Sequence, residues 1–215
     1  MLLEASRAQV AVAARRLVTD RLVTGTSGNV SARDPESGHV AITPSGVSYA
    51  ELAADDVVLV DASGTVVDGE WLPSSELPMH LAVYQARPDV IAVVHTHSLH
   101  ATAFAACGRE IPAIHYDIAA IGNPIRVAPY ATYGTDELAD AAIRTLGTDQ
   151  AVLLQNHGVL AVGASVEHAY LVAQKVEYLA ELYALALHLG QPILLSNSEI
   201  NKVQSKLKKY GQKKT

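Results

Sequence analysis

The 215-residue chain predicts an α/β fold, a mixed or mainly antiparallel sheet flanked by helices. Three observations carry this. Short strands in the first half pair through tight turns, apolar runs of strand length recur in the second half, and helical periodicity marks both ends. Hairpins are incompatible with an all-parallel sheet, so the helices must cover a sheet that is antiparallel for most of its width.

The elements follow in order. "MLLEASRAQVAVAARRLVTDRL" reads as an amphipathic helix, with Leu3, Val10, Ala14, Leu17, Val18 and Val23 near one face and Arg7, Arg15 and Arg16 elsewhere. It lacks the basic start and long apolar stretch of a signal peptide. "NVSARD" and "HVAIT" are short strands joined by the turn "PESG", and "VVLVDASGTVVDG" is a hairpin turning at Ser63-Gly64. A short helix follows Pro73-Ser74-Ser75, and a buried strand occupies 90 to 95. "QAVLLQNHGVLAVG" gives two strands meeting at a tight turn around Asn156-His157-Gly158, the glycine permitting the sharp bend. Residues 165 to 189 form a long helix with Val166, Ala169, Tyr170, Ala173, Val176 and Ala180 on one stripe.

Composition narrows the function classes. Hydrophobic residues make up 49% and charged residues 18%, which excludes a disordered or fibrous chain. A net charge of -6 argues against nucleic acid as a partner, since neutralising phosphates needs a basic surface. The clustered cations Lys206, Lys208, Lys209, Lys213 and Lys214 suit a solvated helix end. The single cysteine, Cys107, permits no internal disulfide and points to a reducing compartment. No run of apolar residues is long enough to span a membrane, so the cytoplasm is the expected location.

The stretch "VVHTHSLH" concentrates the chemistry. Side chains alternate on a strand, so His95 and His97 share a face about 6.5 Å apart along the backbone and can converge on one ion. The alternative is a pair of ordinary histidines at a strand end. His157, at the end of another apolar strand, supplies a third imidazole, and three imidazoles with an open position make a catalytic zinc pattern. His100 lies about one helical turn further and reads as structural. In "LPSSELPMH", Ser74 or Ser75 serves as helix N-cap with Glu76 in the first turn, where capping and the helix dipole explain it. The functional alternative is that Glu76 faces the metal as a general base. "TGTSGNVS", with Ser27, Gly28 and Asn29, and "TPSG", with Thr43, Ser45 and Gly46, offer hydroxyls and amides. With Ser74 and Ser75 these could cradle a phosphate without a lysine; each alone also reads as a simple turn. No dinucleotide or Walker pattern appears.

Taken together, "GTSGNVSAR", "TPSG", "PSSE", "HTHSLH", "IPAIHYDIAAIG", "APYATYGT" and "LLQNHG" resemble, in that order, the class II aldolase/adducin family, over about residues 4 to 190. The resemblance implies one domain over 1-215, a three-layer α-β-α sandwich around a mainly antiparallel sheet. It implies a homotetramer with active sites between subunits and one Zn2+ per subunit. His95, His97 and His157 are then the metal ligands, with Glu76 taking the fourth position when substrate is absent. The phosphate falls to Ser27, Gly28 and Asn29, to Thr43, Ser45 and Gly46, and to Ser74 with Ser75. Tyr116, and Tyr210 in a tail of about 196-215, enter from a neighbouring subunit as catalytic groups. The implied reaction is cleavage of a ketose 1-phosphate, L-fuculose 1-phosphate foremost, to dihydroxyacetone phosphate and L-lactaldehyde, with Glu76 and Tyr116 moving protons. The alternatives on the same scaffold are a 5-deoxy-ribulose-phosphate aldolase, an L-ribulose-5-phosphate 4-epimerase and a methylthioribulose-1-phosphate dehydratase; the epimerases tend to carry aspartate where Glu76 stands. An adducin-like interaction module shares the fold without the chemistry, and the retained ligand set argues against it.

Overall fold

The computed structural model describes residues 2–207. Helix α1 (Glu4–Thr19) is followed by four strands, β1 (Asn29–Arg33), β2 (Val40–Ile42), β3 (Val58–Val60) and β4 (Val66–Asp68). Helix α2 (Leu77–Ala86), strand β5 (Ala92–Thr96) and helix α3 (Leu99–Ala106) come next. A 3-10 turn at Tyr116–Ala120 and the short β6 (Val127–Ala128) lead into α4 (Asp136–Leu146). The hairpin β7 (Ala151–Leu154) and β8 (Gly158–Gly163), the long α5 (Val166–Leu189) and α6 (Asn197–Leu207) complete the described chain.

The strands form one sheet in the order β4-β3-β2-β1-β5-β8-β7-β6. Every pairing is antiparallel except β6 with β7. Strand alternation divides the interior in two. Val30, Ala92, Val94, Val159 and Ala161 face the core shared with α1, α3 and α5. Val93, Leu160 and Val162, together with Ile42 and Val58, face the core shared with α2 and α4. A sheet apolar on both faces must be covered on both, which gives the expected three layers. No helix among the described residues is long and apolar enough to cross a membrane.

Most elements lie where periodicity places them, and the stripe from Val166 to Ala180 on α5 is buried throughout. Four details differ, the first being Val18, which was expected on the apolar face of α1 and is exposed. Arg7, expected off the apolar face of α1, is 2% exposed and pairs with Asp68 of β4 at 2.6 Å. It stands one turn before Val10 on the buried stripe, and its length carries the charge to the sheet edge. Strand β5 runs to Thr96, slightly later than the expected 90 to 95. Helix α2 begins at Leu77, so Glu76 occupies the N-cap position rather than the first turn, and its side chain makes no capping bond. Helices α4 and α6 and strand β6 lie beyond the sequence expectation. Helix α4 does carry a start signal, because Thr135 accepts a hydrogen bond from Leu138 N at 3.3 Å and two acidic residues follow.

Candidate active site

Three strand ends and one helix start meet at the same edge of the sheet. Asn29 and His95 are direct register partners of β1 and β5, so both project to the α2 side. His97 follows β5 by one residue, and its backbone N–H is tied to the Leu22 carbonyl at 3.1 Å. His157 sits in the β7–β8 turn, where Asn156 takes the left-handed conformation at φ 54. Gly158 serves a different purpose from the bend expected of it. A Cβ there would lie 2.2 Å from the Thr96 carbonyl oxygen and 2.9 Å from the His97 ring, so only glycine lets the two histidine strands close. Gly158→Ala is expected to cost roughly 1–3 kcal/mol of stability through overpacking and to lower metal content. Thermal unfolding and metal analysis check this; a fully loaded variant with the parental melting temperature would refute it.

The four side chains fit a cation. Glu76, His95, His97 and His157 each offer a ligand atom, all within 4.8 Å of one another. His95 Nδ1 faces the Val159 carbonyl at 2.8 Å, and a carbonyl can only accept, so Nδ1 carries the proton and Nε2 presents its lone pair. That atom is 2.9 Å from His97 Nε2 and 3.1 Å from Glu76 Oε2, while His157 Nε2 is 3.2 Å from Glu76 Oε1. An ion with metal–nitrogen bonds of about 2.0–2.1 Å holds tetrahedral ligand atoms about 3.3 Å apart. Lone pairs this close repel unless a positive charge stands among them. Glu76 Oε1 is moreover buried with no hydrogen-bond donor. Burial disfavours the charge on Glu76, but positive charge at His95 and His157 outweighs it and holds the carboxyl well below its usual range. Against burial, Glu76 in turn raises His95, so the cluster favours a positive charge beside this carboxylate. Burial, with His95 and His157 beside it, pushes His97 down to about 3, leaving a neutral imidazole suited to a metal.

A cleft of about 270 Å³ opens over His97, His157 and Glu76. It is lined as well by Ser27, Gly28 and Asn29, by Ser45 and Gly46, and by Ser74 and Ser75. The three loops are bound to one another. Ser74 N donates to the Thr43 carbonyl at 3.0 Å, Thr43 N to the Val30 carbonyl at 3.0 Å, and Tyr49 Oη to the Gly28 carbonyl at 2.6 Å. Among the described residues, no lysine or arginine lines the cleft. The loops give it a polar, uncharged lining beside a candidate metal.

Not every expected residue reaches it. Thr43 is fully buried beside the cleft, where its Oγ1 accepts from Val30 N at 3.2 Å and lies 3.3 Å from Tyr49 Oη, whose own proton goes to the Gly28 carbonyl. Its hydroxyl is committed to the framework. Tyr116 is 51% exposed on the 3-10 turn and does not line the cleft of its own chain. Tyr210 lies outside the described residues. His100 is structural: Glu177 of α5 accepts from the His100 and Ala101 backbone amides at 2.9 Å each and faces His100 Nδ1 at 2.8 Å. Residues not anticipated also line the cleft, notably Tyr133, Thr26 and Tyr49. Tyr133 lies in "APYATYGT", a motif that flags the loop without singling out the ring.

Comparison with known proteins places these features in context. Residues 8–184 match the model of the class II aldolase and adducin N-terminal domain. A 5-deoxy-D-ribulose 1-phosphate aldolase of Bacillus thuringiensis serovar kurstaki is 42% identical over 99% of this chain and 100% of its own. An L-fuculose phosphate aldolase of Escherichia coli (strain K12) is 46% identical over 87% of this chain and 86% of its own. Among solved structures, an L-fuculose 1-phosphate aldolase superposes with a TM-score of 0.92 at 42% identity, covering 95% of this chain and 96% of that one.

Proposed function

Because the chain belongs to the class II aldolase and adducin family and is a metal-dependent aldolase, we propose that it reversibly cleaves a ketose 1-phosphate, L-fuculose 1-phosphate foremost, to dihydroxyacetone phosphate and L-lactaldehyde. The observation that carries the proposal is one cleft lined both by His97, His157 and Glu76 of the four-residue cluster and by the hydroxyls and amides of three loops.

His95, His97 and His157 hold the metal in this reading. Zinc fits three neutral imidazoles with a position left for substrate, where it supplies Lewis-acid polarisation of the C2 carbonyl. Ser45, Gly46, Ser74 and Ser75 receive the phosphate, with Asn29 beside it. Glu76 moves a proton at C3: it delivers the proton to the carbanion released by C3–C4 cleavage and removes it in the synthetic direction. The C4 hydroxyl proton must leave as the aldehyde forms. We assign that transfer to Tyr116 of a neighbouring copy in a homotetramer, which its exposure and its absence from its own chain's cleft support.

A second substrate is favoured by one observation. The relative whose match extends over nearly the whole chain is named for 5-deoxy-D-ribulose 1-phosphate, cleavage of which releases acetaldehyde. Both ketoses share C1 to C4 and end in a methyl group, so they differ only in the aldehyde half. Dihydroxyacetone phosphate release from the two esters and from unphosphorylated L-fuculose tests the proposal. At least one ester should be cleaved and the free sugar should not. Equal cleavage of free sugar and esters would contradict the phosphate assignment. Ser75→Trp fills the phosphate end and is expected to raise KM strongly, with folding and metal content retained.

A further inference from the structure

Behind Glu76, five polar side chains interlock between α2 and β1. Glu76, His80 and Tyr84 follow at four-residue intervals, about 6 Å of helix rise per step. Asn29 and Ser31 are two residues apart on β1, about 6.6 Å. The repeats match, so each strand side chain sits between two from the helix. Asn29 Nδ2 donates to Glu76 Oε2 at 2.9 Å, and Asn29 Oδ1 lies 2.5 Å from His80 Nε2. His80 Nδ1 is 2.6 Å from Ser31 Oγ, which is 2.6 Å from Tyr84 Oη. His80 and Ser31 are wholly buried and the other three nearly so.

The donors can be assigned from one end. A carboxylate only accepts, so the Asn29 NH2 must face Glu76 and its carbonyl must face His80. His80 Nε2 therefore carries a proton. The ring is wholly buried, its two nitrogens face an amide oxygen and a hydroxyl, and no carboxylate pairs with it among the described residues, so it is neutral and Nδ1 is bare. The Ser31 hydroxyl then donates to Nδ1, and the Tyr84 hydroxyl donates to Ser31. Every bond points toward Glu76. A flipped Asn29 amide would turn its oxygen on the carboxylate and its NH2 on a ring N–H, two repulsive contacts.

We propose that His80 is a positioning residue: as its Nε2–H tautomer, set by the Ser31 and Tyr84 hydroxyls, it locks the Asn29 amide and through it the Glu76 carboxylate. The inference rests on the role given to Glu76 above. Asn29 also lines the cleft, so the same lock fixes the face its amide shows to substrate. A purely space-filling His80 would be replaceable by any side chain of similar volume; a positioning one needs its donor.

Two measurements on the full chain decide this. Nitrogen-15 NMR of histidine-labelled protein, without metal and with added zinc, should show His80 neutral with its proton on Nε2 across about pH 5.5 to 8. A proton on Nδ1, or a doubly protonated ring, overturns the proposal. His80→Leu is expected to lower kcat about 10- to 100-fold, the usual cost of losing an outer partner of a metal-site group, with a smaller change in KM. His80→Gln retains an amide donor near the Nε2 position and should restore most of the loss. A folded Leu variant with parental kcat, or Leu and Gln variants equally impaired, overturns it; should the Leu variant not fold, the wild-type tautomer still decides. The tautomer is read with no substrate present. Failure of this inference is thus distinct from failure of the aldolase reading, which would appear as wild-type protein cleaving no ketose phosphate.

Discussion

Glu76→Gln should fold, bind metal and cleave ketose 1-phosphate about 10²- to 10⁴-fold more slowly, the range for removal of a positioned acid–base group. Glutamine nearly matches glutamate in shape and preserves a polar atom for Asn29, but it cannot take up a proton. A residue that merely started a helix would behave differently: losing its charge would cost roughly 0.3 to 1 kcal/mol of helix-dipole interaction and leave catalysis intact. Glu76 makes no capping bond; its carboxylate instead points to Asn29, His95 and His157. Steady-state cleavage by the variant, alongside its circular dichroism and metal content, is the check. Near-parental turnover would remove Glu76 from the chemistry.

His97→Ala should take metal content from one ion per chain to nearly none and abolish cleavage. His97 is the least buried partner of a pair whose Nε2 atoms are 2.9 Å apart, and its loss leaves two imidazoles and a carboxylate with an open side to solvent. His188→Ala is the control. His188 belongs to the last turn of α5, where its Nδ1 faces the Ala184 carbonyl at 2.8 Å, and its variant should keep full metal and full activity. A strong chelator should reproduce the His97→Ala result, with activity restored by added zinc. Metal retained by His97→Ala would remove that residue from the ligand set.

Much of the site could be anticipated from local rules. Alternation on a strand is enough to put His95 and His97 on one face, and the apolar runs around them announce their burial. Glu76 was ambiguous for a physical reason: two serines and a carboxylate before a helix satisfy capping rules whether or not a metal lies nearby. Only the meeting of α2 with β5 and the β7–β8 turn separates the alternatives. Thr43 looked like Ser45 in sequence, yet it faces inward and supports Tyr49 and Val30. Gly158 looked like a turn residue, but the left-handed residue is Asn156 and the glycine is needed for close approach. The chain of hydrogen bonds from Tyr84 to Glu76 requires β1 to lie under α2. The four-residue spacing on one element and the two-residue spacing on the other become informative only once the elements are paired.

Metal and Glu76 together should make a C–H bond of dihydroxyacetone phosphate exchangeable, the half of the proposed reaction that needs no aldehyde. Proton NMR of dihydroxyacetone phosphate in deuterated water tests it most directly. Zinc-loaded wild type should exchange a single C3 hydrogen, whereas chelated wild type and zinc-loaded Glu76→Gln should leave the signal unchanged over the same period. Exchange at the wild-type rate in the chelated sample would remove the metal from the C–H step, and in the Glu76→Gln sample would remove Glu76 from it.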